Sequence, residues 1–305
     1  MGLPTSAKNP LVILNPAANR GKMARCREAV CRRVEGEHAE YVETTRRGEA
    51  KKLARRAAEE GCPVVIVGGD GSIHEAVNGI LSGGRRVPLG IVAAGSGNDY
   101  AWNTLGLPRD PAASIERAFR GQPIAVDAGL VNGEYFANSL SVGLDADIAV
   151  TAEKLKHLPF MSGSRLYYSA VLKQLLFGYH HCPWLTLRLD ERQQADGQQT
   201  LRYVVLAVTI GPTYGAGFRI CPSADYRDGL LDICTIRYTP LVRALKLLPV
   251  VQKGEHAGLP EAAFYTARSV SIEARQPVAV QMDGETGSAS RFDVSIVPGA
   301  LQVRV

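Results

Sequence analysis

The sequence predicts an α/β first domain, built on a parallel sheet with helices on both faces, and a mainly antiparallel β-sandwich second domain. Before residue 122, short apolar runs alternate with helix-forming segments, which is typical of β-α-β units. After residue 122, strand-like runs follow one another with two helical interruptions, which favours antiparallel pairing. We therefore expect domains at 1–122 and 123–305, with the C-terminal residues as candidates to return to the first domain.

The first domain is predicted to contain four strands separated by helices. The predicted strands are 11–14, 40–44, 62–67 and 87–92. The predicted helices are 22–33, 47–60, a segment that begins near residue 72, and 112–120. Ligands of parallel sheets bind at the carboxyl ends of the strands, so the residues just after these runs are the first candidates for a site.

The second domain is predicted to open with a hairpin across Asn132-Gly133, a favoured turn pair, with Tyr135–Val142 as its returning strand. Further strands are predicted at 184–189, 202–210, 231–236, 270–274, 278–282 and 292–297. Helices are predicted at 167–177 and 239–252, and residues 193–199 as a surface hairpin loop.

A glycine-rich turn follows the third predicted strand. Four β-branched apolar residues, 64–67, indicate a buried strand, and Gly68-Gly69-Asp70-Gly71-Ser72 then interrupts it. Ser72 stands at the expected N-cap of the next helix, with Glu75 three residues later as in a capping box. A glycine turn that opens a helix suits phosphate binding, although it matches neither the Walker A nor the dinucleotide fingerprint. A plain βα turn is the structural alternative.

Three aspartates, one of them in this turn, each lie at a turn or a strand end. Asp70 lies in the first turn, Asp99 ends the second glycine turn Gly95-Ser96-Gly97-Asn98, and Asp127 lies in a predicted strand of the second domain. Phosphoryl transfer from a nucleotide needs acids that hold Mg²⁺. Each aspartate can equally serve as a helix cap or turn former.

Two acidic turns in the second domain carry further candidates. The turn at 225–232 offers oxygen ligands that suit a hard cation such as Mg²⁺ or Ca²⁺, and an ordinary Asp-Gly turn is the alternative. Asp283-Gly284-Glu285 ends a predicted strand, and one of its carboxylates can be the general base for a hydroxyl nucleophile. A structural hairpin turn explains the same residues.

Composition narrows the class of protein. The net charge of +5 is concentrated in residues 1–60, which contain 13 Lys/Arg and 8 Asp/Glu. This excess can meet nucleotide phosphates, an anionic membrane or nucleic acid, or lie on solvated helix faces. Clusters of basic and aromatic residues typical of nucleic-acid binding are absent, so we expect no nucleic-acid partner. Six scattered cysteines, no apolar run of about 20 residues and no signal-like apolar N-terminal segment indicate a cytoplasmic protein.

Taken in order, these motifs resemble the diacylglycerol kinase catalytic family, which includes bacterial lipid kinases, sphingosine kinases and ceramide kinases. Gly-Gly-Asp-Gly alone is shared with NAD kinases and phosphofructokinases, whereas the combination is specific. The motifs are Asn15-Pro16, Val67–Gly79, Gly95–Asp99, Asp127-Ala128-Gly129, Asp228-Gly229-Leu230-Leu231-Asp232 and Met282–Glu285.

The resemblance implies an NAD kinase/phosphofructokinase-like first domain and ATP and Mg²⁺ as cofactors. Asp70, Asp99 and Asp127 would form an acidic network around the catalytic Mg²⁺. A second, structural Mg²⁺ would bind Asp228 and the carbonyls of Asp225 and Leu230. Asp283 or Glu285 would take the proton from the hydroxyl of a lipid bound between the domains. The implied ATP contacts are Asn15, Pro16, Thr44, Gly68, Gly69, Asp70, Gly71, Ser72, Ile73, His74 and Ser96.

An ATP-dependent lipid kinase acting on a diacylglycerol-like acceptor is therefore the expected function, with NAD kinase activity or a non-catalytic lipid-binding module as alternatives. We expect a peripheral protein at the inner face of the membrane. Residues 155–179 mix apolar and basic side chains and can form either an interfacial contact or a core helix. An exposed strand edge in the second domain can pair two copies into a homodimer.

Overall fold

The computed structural model describes residues 8–21, 23–155, 163–190, 200–215 and 217–305. The chain divides into two compact units, Met1–Val126 with Gly299–Val305, and Asp127–Pro298. The predicted loop at 193–199, and residues 156–162 of the predicted interfacial segment, lie outside the described residues.

A parallel sheet forms the centre of the first unit. Its strands are β1 (Leu11–Leu14), β2 (Glu40–Glu43), β3 (Val64–Gly68) and β4 (Pro88–Ala93), in the order β2-β1-β3-β4. Gln302 and Val303, at the end of the C-terminal strand, extend this sheet in parallel beside β4. The four predicted strands are therefore present, and β3 begins two residues later than expected.

Four helices cover this sheet: α1 (Ala24–Glu37), α2 (Glu49–Glu60), α3 (Asp70–Ser82) and α4 (Pro111–Arg120). Alternate strand residues such as Val12 and Val65 pack against Val30 of α1 and Phe119 of α4. α2 and α3 pack against each other and against β1 and β3. Because successive strand side chains point to opposite faces, the sheet is covered by helices on both sides.

Antiparallel strands make up the second unit. They are β5 (Pro123–Val131), β6 (Glu134–Phe136), β7 (Ser139–Gly143), β8 (Trp184–Leu189), β9 (Thr200–Thr209), β10 (Leu231–Arg237), β11 (Ala262–Ala267), β12 (Ser269–Met282) and β13 (Glu285–Arg304). The first residues of β5, up to Val126, and the last of β13, from Gly299, belong to the first unit. β9 and β12 each pair with β7 along one part of their length and with β8 along another. Phe136, Leu206 and Phe292 lie in the apolar core that these strands enclose.

Three helices belong to the second unit: α5 (Leu144–Leu155), α6 (Gly163–Phe177) and α7 (Leu241–Lys253). The sequence predicted α6 and α7 but not α5, which begins directly after Gly143, a residue with φ of 123°. Leu144 and Ile148 of α5 pack against Val171 and Leu175 of α6.

The strands of the second unit differ from the prediction at four places. β13 covers Glu285–Arg304, where a strand only at 292–297 was predicted. The single strand predicted at 135–142 is divided into β6 and β7, because Ala137 and Asn138 are held by a distant carboxylate described below. The two strands predicted at 270–282 are one strand, β12, with a register shift between Glu273 and Val278. β11 was not predicted, and it pairs with β10 at the end of the strand order. Pairing of two copies at a strand edge stays a prediction.

The ion pairs, the cysteines and the helix hydropathy can be compared with what the composition predicted. Part of the basic excess of the first 60 residues lies in ion pairs with glutamates, including Arg27–Glu43, Arg55–Glu59 and Arg56–Glu40. All six cysteines are free thiols. None of the helices in the described part of the chain combines the length and the hydropathy that a membrane span requires.

Candidate functional site

Three turns meet at the carboxyl ends of β1, β3 and β4 in the first unit. Asn15 follows β1, and its Nδ2 donates to Ser72 Oγ, beyond the end of β3, at 2.9 Å. The Asn98 N–H, beyond the end of β4, donates to Asp70 Oδ2 at 2.8 Å. The predicted residues Asn15, Asp70 and Ser72 therefore lie in one hydrogen-bonded cluster around the N-terminus of α3.

Glycines make this close approach possible. A β-carbon on Gly69 would lie 3.0 Å from the Gly95 Cα, and one on Gly97 would lie 2.8 Å from Asp70 Oδ2. Asn98 adopts a left-handed conformation with φ of 59°, and its side-chain amide bonds both the N–H and the carbonyl of Gly95. The turns after β3 and β4 are thus held together through backbone atoms, leaving no room for larger residues.

The helix start differs from the predicted capping box. α3 begins at Asp70 with Gly69 as its N-cap, because Gly69 is extended, with φ −96° and ψ −171°. Ser72 therefore lies inside the first turn, and its hydroxyl accepts from Asn15 instead of capping the helix. Glu75 accepts from the Gly48 and Ala50 N–H groups at 2.7 and 3.1 Å, so it caps α2. The predicted capping box was wrong.

Replacing Glu75 by Ala is expected to destabilise the first unit by about 1–2 kcal/mol, because two N–H groups at the start of α2 lose their acceptor. Urea unfolding followed by circular dichroism measures this change. Glu59→Ala is the matched control, since Glu59 also lies on α2 but forms only an exposed pair with Arg55, which contributes little. Equal losses in the two variants would contradict the capping role of Glu75.

The N-terminus of α3 can attract an anion, because N–H groups of a first helical turn lack intrahelical acceptors and the helix dipole is positive there. Ile73 and His74 are buried, and His74 Nε2 lies 3.3 Å from Asn78 Nδ2, so their side chains belong to the interior of the unit. Ser96 is exposed and Pro16 half-buried, whereas Thr44 is buried and its N–H donates to Leu14 O. Contacts of these residues with a nucleotide stay predictions.

The other two predicted acids lie in different surroundings. Asp99 is buried and accepts from Asn103 Nδ2 at 2.8 Å, beside a short π-helical turn at Tyr100–Thr104. Asp127 belongs to the second unit, where its Oδ2 accepts from the Gly229 N–H at 2.8 Å. In the described residues, no three or more His, Cys, Asp or Glu side chains are grouped so as to hold a metal ion. The predicted network of Asp70, Asp99 and Asp127 stays a prediction.

Asp127 supports the predicted acidic turn at 225–232. Its N–H donates to Tyr226 O at 2.9 Å, in addition to its bond from Gly229. Within the turn, Asp225 Oδ1 accepts from the Arg227 N–H and Asp228 Oδ1 from the Leu230 N–H. A carboxylate beyond the predicted ligands thus fixes the shape of this turn.

The negative charge of the acidic turn at 225–232 suits the binding of a cation. Burial, and then the negative charges of Asp228 and Asp225, raise the pKa of Asp232 to about 6. Oxygen donors and mutual repulsion of carboxylates suit Mg²⁺, which would relieve the repulsion. The chemistry of the donors therefore fits the predicted ion, with Asp228 and the carbonyls of Asp225 and Leu230 as the predicted ligands.

The third cluster is the turn between β12 and β13. Asp283 and Gly284 have φ of 47° and 92°, as a two-residue hairpin turn requires. Asp283 Oδ2 accepts from the Ala137 N–H at 2.7 Å, and Oδ1 from the N–H groups of Asn138 and Ser139 at 2.9 and 3.0 Å. Both oxygens of Asp283 are therefore engaged with backbone, and this anchor separates β6 from β7. Glu285, the first residue of β13, is half-buried beside it.

The chain was compared with known protein families and with known proteins. The family model described as diacylglycerol kinase catalytic domain matches residues 9–131, and that described as YegS C-terminal NAD kinase beta sandwich-like domain matches residues 138–305. A diacylglycerol kinase of Mycobacterium tuberculosis is 30% identical over 303 residues, covering 95% of this chain and 93% of the relative. The chain belongs to the diacylglycerol kinase catalytic domain family. The family indicated by the sequence motifs is confirmed.

Other proteins named as kinases of this kind are similar to this chain over most of its length. A probable lipid kinase YegS-like protein of Chromohalobacter salexigens is 33% identical over 285 residues, covering 90% of this chain and 86% of the relative. A putative diacylglycerol kinase from Bacillus anthracis str. Sterne has a similar fold, with a TM-score of 0.78, 21% identity and 98% coverage of both chains. This chain therefore belongs among kinases, and its relatives are named as lipid kinases.

Three residues of this diacylglycerol kinase family member were given no individual role in a site by the sequence, although each lies within a quoted motif. Glu75 and Asn98 position the turns around α3, and Asp232 adds charge to the acidic turn. Asn98 carried a usable signal, because asparagine between glycines is enriched in left-handed conformations. Asp232 ends the quoted Asp-Gly-Leu-Leu-Asp motif. Because residues two apart in a strand lie on the same face, its spacing from Leu230 predicts that the two residues share one face. Nothing local to Glu75 indicates its partner at Gly48.

Proposed function

We propose that the protein is an ATP-dependent lipid kinase that transfers the γ-phosphoryl group of ATP to a hydroxyl of a diacylglycerol-like lipid. The observation that carries this proposal is the cluster of backbone-packed turns around the N-terminus of α3, in a chain of the diacylglycerol kinase family. Bound ATP with Mg²⁺ would supply the phosphoryl group and offset its charge. Catalysis of this kind rests mainly on positioning and electrostatics.

In this proposal, the first unit holds the nucleotide phosphates. Gly69, Asp70 and Gly71 would present backbone N–H groups to them, and Asn15 would orient the Ser72 hydroxyl through the bond described above. Asp70 would hold the turn after β4 in place through the Asn98 N–H. Asp99 and Asp127 remain candidates for the acidic network around the catalytic Mg²⁺, and Asp228 for the structural ion.

We assign the general base to Glu285 and a positioning role to Asp283. Both oxygens of Asp283 accept backbone N–H groups, so a proton transferred to it would disrupt the bonds that anchor β7. Glu285 lies two residues further along, at the start of the strand that this anchor aligns. A carboxylate next to a fixed turn can be held within reach of an acceptor hydroxyl.

Exposed apolar side chains support an acceptor that is taken from a bilayer. Leu172, Leu176 and Phe177 of α6 are 55%, 56% and 69% exposed, with the exposed Lys173 beside them. The opposite face of α6 packs in the core, so this helix combines the two alternatives left open for residues 155–179. Apolar side chains with nearby cations suit the surface of an anionic membrane. We propose peripheral association with the inner face of the membrane.

The test is phosphoryl transfer by the purified protein. The protein is incubated with γ-labelled ATP, with or without Mg²⁺, and with diacylglycerol, phosphatidylglycerol or a sphingoid base in mixed micelles, alongside NAD. We expect Mg²⁺-dependent label in an organic-extractable product, strongest with diacylglycerol. Label only in a water-soluble NAD product would overturn the proposal in favour of an NAD kinase. ATP binding without transfer to any acceptor would favour a non-catalytic lipid-binding module.

A further inference from the structure

A short segment between α6 and β8 carries two adjacent histidines, His180 and His181. Both are exposed, and the centroids of their rings lie 4.0 Å apart. Phe177 just before them and Trp184 just after them are also exposed, at 69% and 56%. Two imidazoles therefore stand side by side in a stretch of chain that presents its large apolar side chains to the outside.

Buried neighbours hold this segment in place. Tyr179 is buried and stacks on Tyr238, with ring centroids 5.0 Å apart. The Arg202 guanidinium lies 3.8 Å from the centroid of the Tyr238 ring. It donates to the carbonyl oxygens of His180 and Cys182, the latter at 3.0 Å. The backbone beneath the two histidines is thus fixed, so their rings are presented from a rigid support.

Titratable groups on the packed elements set the charge around the histidines. They are Asp147 on α5, Lys173 on α6, Tyr179 and Cys182 beside the pair, Arg202 on β9 and Tyr238 after β10. Burial raises the pKa of Tyr179 and of Cys182 to about 12, so both are uncharged near neutral pH. Burial also raises the pKa of Asp147, against the opposing effect of His181. Asp147 therefore supplies negative charge next to His181.

Protonation of both histidines calls for a further anion. Histidine is the side chain whose charge ordinarily changes between pH 5 and 8. Asp147 can offset one proton on His181. A second proton, on His180, brings two like charges close together, which is unfavourable unless an anion binds to both rings. A phosphate group meets this need, because imidazolium N–H groups donate strong hydrogen bonds to its oxygens.

We propose that His180 and His181, when protonated, bind lipid phosphate groups of an anionic bilayer, so that membrane association strengthens as the pH falls below neutral. Phe177 and Trp184 would lie in the membrane interface on either side of the pair, where tryptophan is enriched. The anionic surface attracts the added positive charge. This inference rests on the proposed membrane association and adds its regulation by pH.

The test is co-sedimentation of the full-length protein, without ATP, with vesicles of phosphatidylcholine alone or with about one-third phosphatidylglycerol. We expect the affinity for the anionic vesicles to be about tenfold higher at about pH 5.5 than at about pH 7.5, the effect of two cations added near an anionic surface. The double substitution His180→Gln and His181→Gln should remove this increase and keep the affinity measured at the higher pH.

Two further variants serve as controls. His38→Asn removes an exposed histidine of the first unit and should leave the increase unchanged, since asparagine tolerates the φ of 52° at this position. Phe177→Ser should weaken binding at both pH values, because an apolar contact does not titrate. Circular dichroism checks the fold of each variant.

An increase that survives the double substitution would overturn the proposal, as would an equal increase with vesicles of phosphatidylcholine alone. Binding of the unaltered protein that is the same at both pH values would overturn it too, while the proposed membrane association would stand. Absence of binding to the anionic vesicles at either pH would overturn both. Because the readout is binding without ATP, none of these results depends on phosphoryl transfer.

Discussion

Glu285→Gln is expected to lower kcat by about 10²- to 10⁴-fold, the usual contribution of a general base, while stability is unchanged. Glutamine keeps the shape of the side chain but cannot take a proton from the acceptor hydroxyl. Initial rates at saturating ATP and lipid, together with thermal unfolding, measure the two quantities. KM for ATP should stay close to that of the unaltered protein, since Glu285 belongs to the second unit and the predicted ATP contacts to the first.

Asp283→Asn is the matched comparison for this prediction. One of its carboxylate oxygens becomes an NH₂ group that faces backbone N–H donors, so at least one of the bonds to Ala137, Asn138 and Ser139 is lost. We expect destabilisation of about 3 kcal/mol, because hydrogen bonds to charged groups are the stronger ones. A stable Asp283→Asn protein that lacks activity, next to a fully active Glu285→Gln protein, would reverse the two assignments.

Gly79→Val is expected to destabilise the first unit by about 3 kcal/mol, at the upper end of overpacking effects. A β-carbon at this position would lie 2.3 Å from Lys51 O and 2.8 Å from Ala54 Cβ, so α2 and α3 would be forced apart. Backbone atoms at such distances cannot be relieved by a change of rotamer. Urea unfolding at equilibrium measures the loss.

Gly36→Ala provides the control for Gly79. Gly36 lies within α1, and a β-carbon there meets no atom within 4 Å. Alanine is expected to raise the free energy of unfolding by about 0.5–1 kcal/mol, through its better helix propensity. If both glycines gave the same response, helix propensity and not helix packing would govern Gly79.

Much of the fold could be predicted because its signals are local. Strands β1, β3 and β4 are short apolar runs, whereas β2 only alternates weakly between polar and apolar residues. The hairpin between β5 and β6 turns at Asn132-Gly133, as this residue pair favours. The glycine turns and the order of the motifs were enough to indicate the family. Helix α5 was missed although it carries a local signal, with Asp145 and Asp147 in its first turn and Lys154 in its last.

The sequence alone determined where the glycines, the acids and the apolar runs stand, and therefore the family and the residues at which a site could form. The tertiary structure decided what each carboxylate does. Glu75 caps a helix 27 residues away, and Asp283 anchors backbone 146 residues away. Local patterns cannot specify such partners, because a hydrogen bond depends on distances that only the packed chain sets.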